Sequence, residues 1–178
     1  MISRSLIQSM SLSLCVLVCS SVLAEGAARG GVAHKNAAGG VTAGSAKGVR
    51  GPNGGAAGSA KGITTDGQGN AQGASVGAVK GPQGGAAVRA GGFKKNADGS
   101  MQHQSGMAAT GANGGSVQSQ GSANRSADGT LSGERNTSAT SQSGANYQGN
   151  TSYTKGQGAT HTSTCTNAAG QQVACSKP

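Results

Sequence analysis

The chain has 178 residues, 34 of them glycine, with only 2% aromatic residues and a formal net charge of +9 at neutral pH. A chain so poor in large apolar side chains falls in the compositional range of disorder and lacks the conventional core on which an enzyme rests an active site. Two states stay open: a largely disordered chain, or one ordered by backbone hydrogen bonds, close glycine and alanine packing and contact between copies.

At the N-terminus Arg4 precedes an apolar stretch, Leu12 to Leu23, with Val22 and Ala24 placed for signal-peptidase cleavage before Glu25. The stretch is short and broken by serines, so it reads as a cleaved export signal over 1–24 and not as a membrane span. Leu14 and Val18 precede Cys15 and Cys19, where a lipid-anchored protein needs a small residue. The expected destination is the cell surface or the medium, reached through the inner membrane, with the periplasm as an alternative.

Residues 25–35 form an expected lead-in, and 36–164 a repeat array. Its register is carried by Gly39, Gly54, Gly69, Gly84, Gly99, Gly114, Gly129 and Gly144, each fifteen residues from the last. Pentads such as NAAGG, GPNGG, GPQGG, NADGS and SADGT hold these glycines behind small or polar residues, the chemistry of tight turns that need positive φ. Pro52 and Pro82 fit a turn position with fixed φ and no donor. The ten residues after each turn show no 3.6-residue apolar period, so strand is expected there.

Turn types alternate, and Ile63, Phe93, Ala123 and Tyr153 recur at thirty residues, as do Val49, Val79, Ala109 and Ala139. An antiparallel meander sends alternate turns to opposite ends and accounts for this. A β-solenoid would stack every turn and set Lys80 against Lys95 at about 4.8 Å. The expected fold is therefore an all-β antiparallel meander of about nine strands built from thirty-residue hairpins, with a β-solenoid or disorder as alternatives.

At the C-terminus, 165–178 is expected to be a hairpin closed by a disulfide. Removal of the signal leaves Cys165 and Cys175, an even pair in an oxidising compartment, with the turn Asn167–Gly170 between them. Such a loop is worth roughly 2.5 to 3 kcal/mol on the chain-entropy model.

Catalytic apparatus is not evident. Gly73-Ala74-Ser75-Val76-Gly77 spells a nucleophile-elbow pattern, but no hydrophobic strand, following helix or triad partners accompany it. His34, His103 and His161 share no metal-ligand spacing, and Asp66, Asp98 and Asp128 sit in turns. No enzyme activity, cofactor or metal is expected. Lys35, Arg50, Lys80, Lys95, Arg125 and Lys155 precede turns and are candidate contacts for polyanions such as extracellular DNA, lipopolysaccharide or acidic exopolysaccharide; solubility is the plainer reason for their charge. Thr160, Thr162 and Thr164 alternate as on ice-binding faces, without a ladder that extends over many repeats.

The recurring GPNGG and NADG turns, the small-residue strands and the closing CTNAAGQQVAC resemble secreted Gly/Ala/Ser-rich repeat proteins of Gram-negative bacteria. Among fibre-forming proteins the nearest comparison is with curlin-type subunits, whose Gln and Asn ladders are not matched by Gln72, Gln102 and Gln142. The resemblance implies export; the deficient core and open sheet edges add the expectation of a non-enzymatic structural protein that associates with itself through β-strands in a fibre, biofilm matrix or adhesive surface. The alternative is a monomeric basic module for surface polyanions.

Overall fold

The computed structural model describes residues 26–175, so the export signal expected over 1–24 lies outside the described residues. The chain folds as one open antiparallel meander in which every strand is hydrogen-bonded to its sequence neighbours. The strands are β1 (Gly26–Lys35), β2 (Val41–Arg50), β3 (Ala56–Thr65), β4 (Ala71–Lys80), β5 (Ala86–Lys95), β6 (Met101–Thr110), β7 (Ser116–Arg125), β8 (Leu131–Thr140), β9 (Asn146–Thr154), β10 (Gly158–Thr166) and β11 (Gln172–Val173). Ten are long, one more than the repeat count suggests, because the expected lead-in is itself strand β1. Antiparallel pairing of consecutive strands excludes the solenoid.

The glycine register has a local cause. In the first turn Gly39 N–H donates to Asn36 O at 3.1 Å and Asn36 N–H to Gly40 O at 3.0 Å, while Gly39 takes φ +80°. This is a type I turn followed by a left-handed residue, and it joins two strands with a net five-residue connection. The other seven register glycines also have positive φ, from +80° at Gly54 to +103° at Gly84. Most of the turns are closed further by their own polar side chains. Asn36 Oδ1 accepts from Ala38 N–H and Gly40 N–H, Asp98 Oδ1 from Ser100 N–H, and Asp128 Oδ1 from Thr130 N–H.

The register breaks once, at Lys155–Gln157, where a shorter turn bears Gly156 at φ +88° and brings β10 in early. Cys165 consequently lies inside β10, paired with Tyr147 on one side and Val173 on the other, and the closing turn runs over 167–171. The Cys165–Cys175 disulfide fastens β11 to the edge of β10.

Every pairing joins residues of equal parity, for example Ser45 with Gly31 and with Lys61. Because each connection has an odd number of residues, the whole sheet keeps even-numbered side chains on one face and odd-numbered ones on the other. Fifteen is odd, so equivalent positions of successive units point to opposite faces, and only positions thirty apart share one. That is the physical origin of the thirty-residue period.

The sheet is a single layer. Among the described residues no hydrophobic side chain is buried, and Ser119, at 6% exposure, is the one buried polar residue.

Candidate functional site

With no buried hydrophobic core among the described residues, the surfaces open to a partner are the two faces and the sheet edges. The odd face carries the larger apolar side chains. One row crosses the entire sheet as Ala27, Val49, Ala57, Val79, Ala87, Ala109, Val117, Ala139, Tyr147, Cys165 and Val173. A second contains Ala43, Ile63, Gly73, Phe93, His103, Ala123 and Tyr153. These rows stay open to solvent, with Val79 53% and Ile63 41% exposed.

Between the two apolar rows lie two rows of Ser, Gly and Thr that also hold Arg29, Lys47, Lys61, Arg89 and Arg135. Arg89, Arg135 and Phe93 lie down on glycines of the neighbouring strand. A Cβ on Gly77 would come within 3.2 Å of Arg89 Nε, one on Gly121 within 3.2 Å of Arg135 Nη2, and one on Gly73 within 2.6 Å of Phe93 Cε1. Arg135 crosses Gly121 so that Nη1 donates to Ser119 Oγ at 2.9 Å and Nη2 to Ser105 Oγ at 3.3 Å. Strand glycines thus make room for flat-lying side chains, a role distinct from that of the turn glycines.

The even face is divided. Across β1 to β5, its three central rows are Ala28, Gly48, Gly58, Ala78, Val88; then Gly30, Ala46, Ala60, Val76, Ala90; then Val32, Gly44, Gly62, Ala74, Gly92. Every one is glycine, alanine or valine. Across β6 to β10 the same rows continue, after Gly106 and Ala108 in β6, with Gln, Asn, Ser and Thr around a lone Glu134, and Gln120, Asn136, Asn150 and Thr162 lie side by side. Asn150 Nδ2 donates to Asn136 Oδ1 at 2.8 Å. This short amide ladder escapes fifteen-residue columns because its members are alternately sixteen and fourteen residues apart.

Charge follows the same division. The strands place Arg29, Lys35, Lys47, Lys61, Arg89, Lys95, Arg125 and Arg135 on the odd face, with no acidic residue. The even face has Arg50, Lys80 and Lys94, all at or next to strand ends, together with Glu134. Of the cations singled out from sequence, Lys35, Lys95 and Arg125 share the odd face at one end, and Lys155 stands in a turn there with Nζ 3.4 Å from Gly129 O. Arg50 and Lys80 lie on the other face at the opposite end, so the six do not form one patch. The mid-strand cations, missed by attention to turns, are the ones that parity gathers.

Asp66, Asp98 and Asp128 stand in turns at the same end as Lys35. Hydrogen bonds hold their carboxyls below the usual aspartate range: chiefly from the Asn70 side chain for Asp66, the Ser100 hydroxyl for Asp98 and Thr130 N–H for Asp128. Ser75 of the nucleophile-elbow pattern sits mid-strand in β4, without the strand-to-helix turn that chemistry requires. His161 lies between Thr151 Oγ1 at 2.8 Å and Tyr147 Oη at 3.3 Å. Among the described residues no three of His, Cys, Asp and Glu come together. Compared with protein-family models, curated proteins and solved structures, the chain finds no match.

Proposed function

We propose that this is an exported, non-enzymatic structural protein that builds an extracellular fibre, matrix or adhesive surface by β-sheet assembly. The observation that carries this reading is that the described residues form a single layer without a buried hydrophobic side chain. Isolated sheets are stable when a face is covered, and open edges recruit further strands. A whole face of ten strands spaced about 4.8 Å and about 33 Å long presents roughly 1,600 Å², about twice what each partner of a standard stable complex buries. The Gly/Ala/Val half of the even face suits it to stacking on a second copy. It is self-complementary, its fifteen central positions bear no charge, and its side chains are short enough for close approach.

Negative-stain microscopy and circular dichroism of the purified protein test this. Strand-rich fibres or sheets are expected, with an inter-sheet reflection shorter than the usual ~10 Å because the stacked side chains are small. Protein that remains monomeric and unstructured at high concentration would overturn it.

A second reading, binding of surface polyanions, is supported by one specific observation: the strand cations of the odd face share it with no acidic residue among the described strand residues. The two are compatible, since stacking through even faces leaves odd faces outward.

A further inference from the structure

Nine of the twelve exposed large hydrophobic residues carry odd numbers: Val41, Val49, Ile63, Val79, Met101, Met107, Leu131, Tyr153 and Val173. They share that face with eight strand cations and, among the described strand residues, no carboxylate. The two properties are interleaved, because Arg29, Lys47, Lys61, Arg89 and Arg135 occupy the rows between the apolar ones. We infer that the odd face docks on an anionic lipid surface, with the cations among phosphate headgroups and the apolar rows against the outer part of the acyl layer. The inference rests on the polyanion reading and names its ligand.

Charge complementarity decides the occupant. A second copy meeting this face through its own odd face would set guanidinium and ammonium groups against one another and bring no acid to compensate. A linear polyanion satisfies the cations but leaves the apolar rows in water. An anionic bilayer or lipopolysaccharide leaflet meets both at once: long Lys and Arg chains reach headgroups while their stems and the neighbouring Val, Ile, Phe and Tyr side chains enter the boundary. Tyr153 stands in one of the two rows with Phe93, and Tyr147 in the other; tyrosine rings, apolar with a polar tip, favour the headgroup level of a membrane, and Phe93 adds apolar area.

The even face supplies an internal control with the same charge change. In one variant Lys47, Lys61 and Arg89 become glutamine; in the other Arg50, Lys80 and Lys94 do. Binding is read by co-sedimentation with vesicles of equal parts phosphatidylglycerol and phosphatidylcholine. Since each cation near an anionic surface contributes about fivefold, the odd-face variant should lose about a hundredfold in affinity. The even-face variant should retain nearly all of its binding. A third variant, Val49→Thr with Ile63→Thr and Val79→Thr, keeps every charge and should weaken vesicle binding while leaving dextran sulfate binding intact.

Lysine acetylation of the unaltered protein needs no variant to fold: vesicles should protect Lys47 and Lys61 and leave Lys80 and Lys94 reactive. Equal losses in the two charge variants, or equal protection of the two lysine pairs, would overturn the assignment to the odd face. Dextran sulfate binding without vesicle binding would overturn the lipid inference and leave the polyanion reading standing. Failure of both would remove both.

Discussion

Replacing Gly99 by alanine adds one methyl group to a turn where space is not the obstacle. A Cβ there would meet no atom within 4 Å, yet the backbone sits at φ +85° and its N–H donates to Asn96 O at 3.0 Å. The cost is therefore torsional, about 1 to 2 kcal/mol for an L-residue held in the left-handed region. Gly106 in β6 offers the same substitution in ordinary extended backbone, where the nearest atom to an added Cβ is Ser119 O at 3.7 Å. There alanine should stabilise by about 0.4 to 1 kcal/mol, because it narrows the unfolded ensemble. The two variants should thus straddle the parent with a gap of about 1.5 to 3 kcal/mol. Urea midpoints from far-UV circular dichroism measure this on dilute protein. Amide exchange of the β5–β6 hairpin guards against piecewise unfolding of the array. Gly99→Asn should fall between them, since asparagine tolerates the left-handed region better than alanine. If Gly99→Ala and Gly106→Ala moved stability in the same direction, the reading of the fifteen-residue register as a series of left-handed turn positions would fail.

Reducing Cys165–Cys175 should remove roughly 2.5 to 3 kcal/mol of loop-closure stabilisation, and amide exchange should rise in β10 and β11 while β1 to β8 stay protected; loss of protection throughout would show that the staple holds the array. Acidification should loosen one end of the sheet. The depressed carboxyls of Asp66, Asp98 and Asp128 stabilise the folded turns above about pH 3.9, and that contribution is lost as pH falls from there through their folded values. Amide signals of Gln68, Ser100 and Thr130 should report it, while those of the 51–55 and 81–85 turns stay put; movement at both ends would refute the assignment. Gly121→Ala should press on Glu134 O, 3.0 Å from the added Cβ, and lift the Arg135 guanidinium from the sheet, breaking its bonds to Ser119 and Ser105, and cost about 1 to 3 kcal/mol as an overpacked site. Gly58→Ala, whose added Cβ would lie 3.7 Å from Lys47 O, should not destabilise, and equal costs at the two sites would contradict the packing role given to Gly121.

Much of the architecture was legible because the turn glycines impose a backbone requirement that no other residue meets cheaply, so the register survives in a sequence of otherwise loose composition. The alternation of turn types was legible for a similar reason: opposite ends of a sheet are different places, and here all three turn aspartates collect at one of them. The faces were not read, because facing depends on the parity of every connection, and a turn of unknown net length hides it. Lys47 and Lys61 pass for scattered charges until β2 and β3 are paired and the register sets them on one face, beside Ser59 and Ser45. The short turn at Lys155–Gln157 was hidden too, since Gly156 and Gly158 depart from the register that marks every earlier turn.

Parity also governs how such a gene can change length. Losing or duplicating one fifteen-residue unit would invert every strand downstream of it, turning the cationic apolar side of those strands to the Gly/Ala/Val side and the reverse. Losing or duplicating thirty residues would leave both sides continuous. Array length is therefore a stepped trait, free to vary by whole hairpins and closed to half-steps. Single-residue insertions within a turn are closed for the same reason, however mild they look at the surface.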